Sequence, residues 1–274
     1  MSSLVDYFSL LAIVIIGIPH GALDLDLAIA GNSAPNRKTN TIFFAYVVIA
    51  FWSLVAWYLI PTVALVTFLL LSAIHFGRAN PLLLNHKDKT GIAPLIGSII
   101  FQGGLTTVFL PWIYWNEIKD IFDALGAKTD TFQIIGSFVV PLWGASVLMT
   151  MLNYRSAQLY IAIASLIGII YFKNIFTPLF LFSIFFCLLH SIPHYFKASS
   201  EIGTSPKKPP LTFLINTVSA WAIVATVLMF FYQNQNFSLS TLNAIFSVLF
   251  ALTVPHMILV DLLLPNRLTK WRIT

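Results

Sequence analysis

Long apolar runs separated by short polar stretches set the pattern of this chain. Tyr7 to Leu23 carries no charge and runs into Asp24 and Asp26, which predicts a first helix over about 4–29. Thr41 to Gly77 is 37 residues without a charge, too long for one bilayer span of roughly 20 residues. Pro61 divides it into helices over about 41–59 and 62–78. Further helices are predicted over about 92–116, 131–154, 157–172 and 175–196. Between them, Glu117 to Asp130 is charged but keeps Ile118, Ile121, Phe122 and Leu125 at helical spacing, the pattern of a short helix lying at an interface. Pro209 to Val260 is again uncharged for 52 residues, and Gln233-Asn-Gln-Asn236 splits it into helices over about 211–232 and 239–264. The count is about nine spans.

Composition turns this pattern into a class. The chain of 274 residues is 58% hydrophobic and 9% charged, with a mean hydropathy of +0.86, whereas soluble domains carry roughly 25% charged residues. The expected fold is all-α, a polytopic transmembrane helix bundle forming a single integral membrane domain over 1–274. Assigning alternate connections to two sides puts 12 Lys and Arg on one and 3 on the other. Basic loops face the cytoplasm, so the N-terminus is expected outside and the C-terminus in the cytoplasm. The net charge of +5 is explained by these loops, not by a nucleic-acid surface. Met-Ser-Ser-Leu-Val-Asp6 lacks the basic start of a signal peptide, so the first apolar segment is expected to be retained. Cys187 is the single cysteine, which leaves no intrachain disulfide and no thiolate cluster.

Chemistry concentrates in histidines. His190 and His194 are four apart inside Asn174–Phe196, a stretch without Lys, Arg, Asp or Glu. That spacing puts two imidazoles on one helix face, where they can share a metal ion. His20, His75 and His256 fall on three further helices. With the expected topology all five lie in the cytoplasmic half of their helices, between 3 and 17 residues from the next Lys or Arg. Ionisable groups at such depth are costly and usually functional. His86 lies beside Lys87 in a polar loop and reads as solvated. Pro-His occurs at Pro19-His20, Pro193-His194 and Pro255-His256, and each proline frees a backbone carbonyl that needs a partner in a bilayer.

Two carboxylates accompany the histidines. Asp24 is four residues after His20 and is expected to accept the proton of its far nitrogen, fixing the tautomer. Asp261, five after His256, is a poorer fit, and His256 itself is read as standing behind the ligands or guarding open positions. Imidazole suits zinc, copper, iron and nickel, so ligand type alone leaves the metal open. Glu occurs only at 117 and 201, away from the histidines, which argues against a zinc hydrolase with a glutamate base. Redox iron with dioxygen is the more natural partner of an all-histidine site.

Gly17-Ile-Pro-His20-Gly-Ala-Leu-Asp24, Ala73-Ile-His75-Phe-Gly77 and His190-Ser-Ile-Pro-His194, with Val254-Pro-His256-Met-Ile-Leu-Val-Asp261, together resemble the Brp/Blh family of bacterial and archaeal membrane β-carotene 15,15′-dioxygenases. The resemblance implies a multi-pass enzyme of the cell membrane that cleaves β-carotene with dioxygen to two molecules of retinal. It also implies Fe(II) held by His20, His75, His190 and His194, and a retinal-binding rhodopsin as product acceptor. Asn80 stands where family members are expected to carry an acidic residue. The reading from another class is a transporter or channel using the histidines as a proton or metal pathway, which calls for inverted repeats; none is evident.

Overall fold

The computed structural model describes residues 4–31, 35–79, 92–153 and 157–263. Among them every regular element is helical: α1 Leu4–Ala12, α2 Asp24–Gly31, α3 Pro35–Leu59, α4 Pro61–Ala79, α5 Ile92–Gly104, α6 Leu110–Ile113, α7 Trp115–Ala124, α8 Thr129–Asn153, α9 Ala157–Phe172, α10 Pro178–Ile184, α11 Ile192–Glu201, α12 Leu211–Tyr232 and α13 Phe237–Met257. Among the described residues eight helical stretches are long and apolar enough to cross a membrane, from Leu4–Ala30 to Phe237–Leu263, while the apolar part of α9 is shorter. Each stretch read from the hydrophobic pattern contains a helix. His86 and Asn80 lie outside the described residues.

Several helices are interrupted next to a proline, although α8 runs unbroken through Pro141. Wider π turns occupy Ile13–Gly17, Leu105–Phe109 and Phe185–Ser191, and each is followed by a residue and then a proline: Pro19, Pro111 and Pro193. Proline has no N–H and its ring clashes with the preceding turn; a π turn opens the ladder there. A fourth, Ile258–Leu263, follows Pro255. At the first break, Ile18 N–H reaches Ile13 O. The next donor in that register for Val14 O would come from residue 19, a proline. The Trp221 indole supplies it instead, Nε1 donating to Val14 O at 2.8 Å. Asn216 Nδ2 likewise donates to Ala22 O at 2.8 Å, where the helix restarts.

The chain forms two compact units. Among the described residues the first takes those from 4 to 68 and from 183 to 263, and the second those from 69 to 182. In the first unit Leu23, Leu27, Ala198 and Val260 form a buried cluster, with Tyr195, Ile202 and Phe213 packed against it. Phe250 meets Trp57 at 5.6 Å and Phe68 at 6.1 Å between ring centroids. Thr212 donates to Asp26 at 2.9 Å, tying the first turn of α2 to the start of α12.

The second unit packs around Phe101, Leu105, Phe109, Trp143, Leu159 and Ala162. Trp143 stacks on Phe109 at 4.9 Å and donates its Nε1 to Phe101 O at 3.0 Å. A Cβ on Gly103 would meet the backbone of Ala73, and one on Gly77 the backbone of Ile99, so glycines let α4 and α5 touch backbone to backbone. The helix expected at an interface is α7, which buries Ile118 and Phe122, the latter against Phe132 at 4.5 Å. Tyr114, just before α7, donates to Phe176 O at 3.1 Å. Burial pushes its phenol up to about 12, with the Glu117 carboxylate adding to the effect, so it remains a donor at any ordinary pH.

Candidate metal centre

The first unit gathers four of the five histidines found on helices among the described residues. His20 sits in a 3₁₀ turn, Ile18–Gly21, just past the first π turn. His190 is the penultimate residue of the π turn Phe185–Ser191 and His194 lies in the first turn of α11. His256 is near the end of α13. All four are buried. The His20 ring centroid lies 5.5 Å from His190, 5.6 Å from His194 and 4.9 Å from His256. His194 and His256 are 5.1 Å apart. His190 and His194 stack at 6.0 Å with 17° between their planes, the same-face arrangement of their spacing. His75, on α4, is also buried and belongs to the second unit.

The close approach depends on Gly17. A Cβ there would fall on the Phe186 ring, 2.8 Å from Cδ1. Phe186 in turn meets the His20 ring edge-on at 5.4 Å and lies nearly parallel to His190 at 6.0 Å. The two π turns can therefore pack with their histidines side by side.

Acceptor-only groups set the tautomers. His20 Nδ1 donates to Gly17 O, and His256 Nδ1 donates to both carboxylate oxygens of Asp24 at 2.8 Å. In each neutral ring the proton is on Nδ1 and the lone pair on Nε2. Metal-binding histidines take this form, with the far N–H held by a carbonyl or carboxylate. Asp24, His194 and His256 each offer a ligand atom within 4.8 Å of one another. The donor set fits a metal ion.

Asp24 is not the partner of His20. The four-residue spacing between them is a face relationship only in an unbroken α-helix. Here a 3₁₀ turn covers 18–21 and a turn at Ala22 and Leu23 precedes α2. Asp24 instead turns to His256 and also accepts from Tyr46 Oη at 2.9 Å. Asp261 is buried in the last π turn. Sequence reasoning missed Tyr46 and Trp221, and gave Gly17, which opens the first quoted motif, no role of its own. Trp221 alone left a signal: it lies mid-span, away from the interfacial belt where tryptophan usually satisfies its N–H.

A cavity of about 500 Å³ adjoins the histidines. His20, Asp24, Tyr46 and His256 stand in its wall beside Phe43, Phe51, Ile215, Ile223 and other apolar side chains of α3, α12 and α13.

These features define a polytopic helical membrane protein with a buried, metal-compatible histidine site facing an apolar cavity. The chain belongs to the β-carotene 15,15′-dioxygenase family, whose model matches residues 11–264, and is by that membership a dioxygenase. It is 33% identical over 265 residues to a β-carotene 15,15′-dioxygenase of an uncultured marine bacterium, 66A03, covering 94% of each chain. No solved structure matches it.

Proposed function

We propose that this chain cleaves β-carotene at its central double bond with dioxygen, at an iron ion held within the bilayer by His20, His75, His190 and His194. The C=C bond breaks, two C=O bonds form, and each retinal receives one oxygen atom. The observation that carries the reading is the apolar cavity walled by His20 and His256, since a hydrocarbon dissolved in the membrane can reach such a site without crossing water. His75 enters through the Ala73-Ile-His75-Phe-Gly77 resemblance and its burial. Fe(II), when bound, supplies the redox chemistry that lets triplet dioxygen react with a closed-shell alkene.

The chain's own residues hold the site ready. The Gly17 carbonyl and the Asp24 carboxylate keep Nδ1 of His20 and His256 protonated, so each presents Nε2 as the basic atom. The apolar walls exclude water and align the polyene, a positioning role. Retinal leaving sideways into the lipid of a bacterial or archaeal cell membrane is available to a retinal-binding rhodopsin.

Co-expression with a β-carotene pathway tests this reading. Orange colour should fade and retinal appear, and the purified protein should carry about one iron per chain. His190→Ala and His194→Ala should lose both, and His86→Ala neither. Unchanged carotene, or full iron retention in both of the first two variants, would overturn it.

A further inference from the structure

We infer that Tyr46 is a positioning residue which, through Asp24, orients His256 as an additional imidazole donor to the metal. The inference rests on the proposed histidine-bound metal and goes beyond its ligand set. Tyr46 comes from α3, Asp24 from the first turn of α2 and His256 from α13, so three helices meet in one hydrogen-bonded chain. Tyr46 Oη lies 2.9 Å from Asp24 Oδ2 and 3.4 Å from Leu252 O. A hydroxyl has one proton, and the shorter, charge-assisted bond to the carboxylate is the stronger. Asp24 therefore accepts from both sides, from the phenol and from His256 Nδ1.

The carboxylate has little room to do otherwise. Asp24 and His256 are both buried. A Cβ on Gly21 would lie 3.2 Å from Asp24 Oδ2 and 3.5 Å from His256 Nδ1, so the pair sits flush against the turn that carries His20. Fixed in this way, Asp24 cannot rotate to another acceptor geometry and His256 keeps its proton on Nδ1. Its Nε2 then joins His194 among the donors. Tyr46 also lines the apolar cavity, so a hydrocarbon lying there covers the phenol and keeps water off the bond to Asp24.

The test uses the full chain in detergent with Co(II) as a spectroscopic probe and Fe(II) in competition with a chelator. Tyr46→Phe keeps the ring and removes one hydroxyl. It should weaken Fe(II) binding about 10-fold, at the low end of what loss of an outer partner costs, and shift the Co(II) absorption bands. Gly21→Ala, pressing on the same pair from another side, should shift them too. Tyr58→Phe, an exposed tyrosine on the same helix, should do neither. A merely structural role for Tyr46 would lower the melting temperature and leave metal affinity and spectrum unmoved, and that outcome overturns the inference. If metal binding behaves as expected but β-carotene is not cleaved, the inference stands and the proposed reaction falls. Wild-type protein that binds neither ion overturns both.

Discussion

The indole of Trp221 reaches across from α12 to donate to the carbonyl of Val14 at 2.8 Å, in the π turn that precedes Pro19 in the first helical stretch. The bond answers a problem created by Pro19 itself, whose missing N–H leaves that turn without its next donor. Trp221→Phe keeps most of the packing and removes the donor. A polar group left unsatisfied away from water costs about 1–3 kcal/mol, so the variant should melt several degrees lower in detergent. Its iron content should fall less than its stability, because His20 keeps its own bond to Gly17 O. An unchanged melting temperature would mean that lipid or a relaxed backbone satisfies Val14.

Gly17 gives a sharper steric test. Alanine there must displace the Phe186 ring, which is buried between His20 and His190. Overpacking of this kind costs about 1–3 kcal/mol, and here it also pushes two histidines apart. Gly17→Ala should therefore lose bound iron at a temperature where it is still folded. Gly144, on α8, has open space where its Cβ would be. Gly144→Ala should be neutral or gain up to about 1 kcal/mol from helix propensity. Equal iron content in the two variants would remove the argument that Gly17 sets the histidine spacing.

The helices were legible because membrane-spanning length forces long uncharged runs, and the runs at Thr41–Gly77 and Pro209–Val260 could be divided by Pro61 and by Gln233–Asn236. The pair His190 and His194 was legible because the spacing of two residues on one helix is local. What failed was the link from His20 to Asp24, which assumed an α-helix through a stretch that is a 3₁₀ turn followed by a turn at Ala22 and Leu23. Proline announced a break there but not its geometry. The reach of His256 into the cluster, and of Tyr46 to Asp24, spans more than 20 residues of chain in one case and more than 200 in the other. No local pattern encodes either. The division into two units was likewise invisible in a chain whose apolar runs look alike throughout.

Topology can be checked without reference to the site. From 12 Lys and Arg on one side and 3 on the other, the C-terminus is expected in the cytoplasm and the turn between α12 and α13 outside. A reporter fused after Thr274 should be active as a cytoplasmic fusion, and one inserted at Gln235 as an external fusion. Finding both on the same side would mean that the nine-span count is wrong.

Substitution of Asp24 separates the two partners that its carboxylate could have had. Because its carboxylate meets His256 and not His20, Asp24→Asn should reproduce the loss seen in His256→Ala. Asparagine keeps the shape but gives up the charge that makes the imidazole a better donor, a change worth about 10- to 100-fold in metal affinity. His256→Ala should fall in the same range and not abolish binding, since four other histidines remain. Both should recover in part when Fe(II) is added in excess. His20→Ala should not, because its ring is in contact with the other three histidines of the unit. The double variant Asp24→Asn/His256→Ala is the discriminating measurement. Residues acting through one another are non-additive, so its affinity should match that of His256→Ala alone. An additive loss would show that Asp24 serves the metal by some route other than His256.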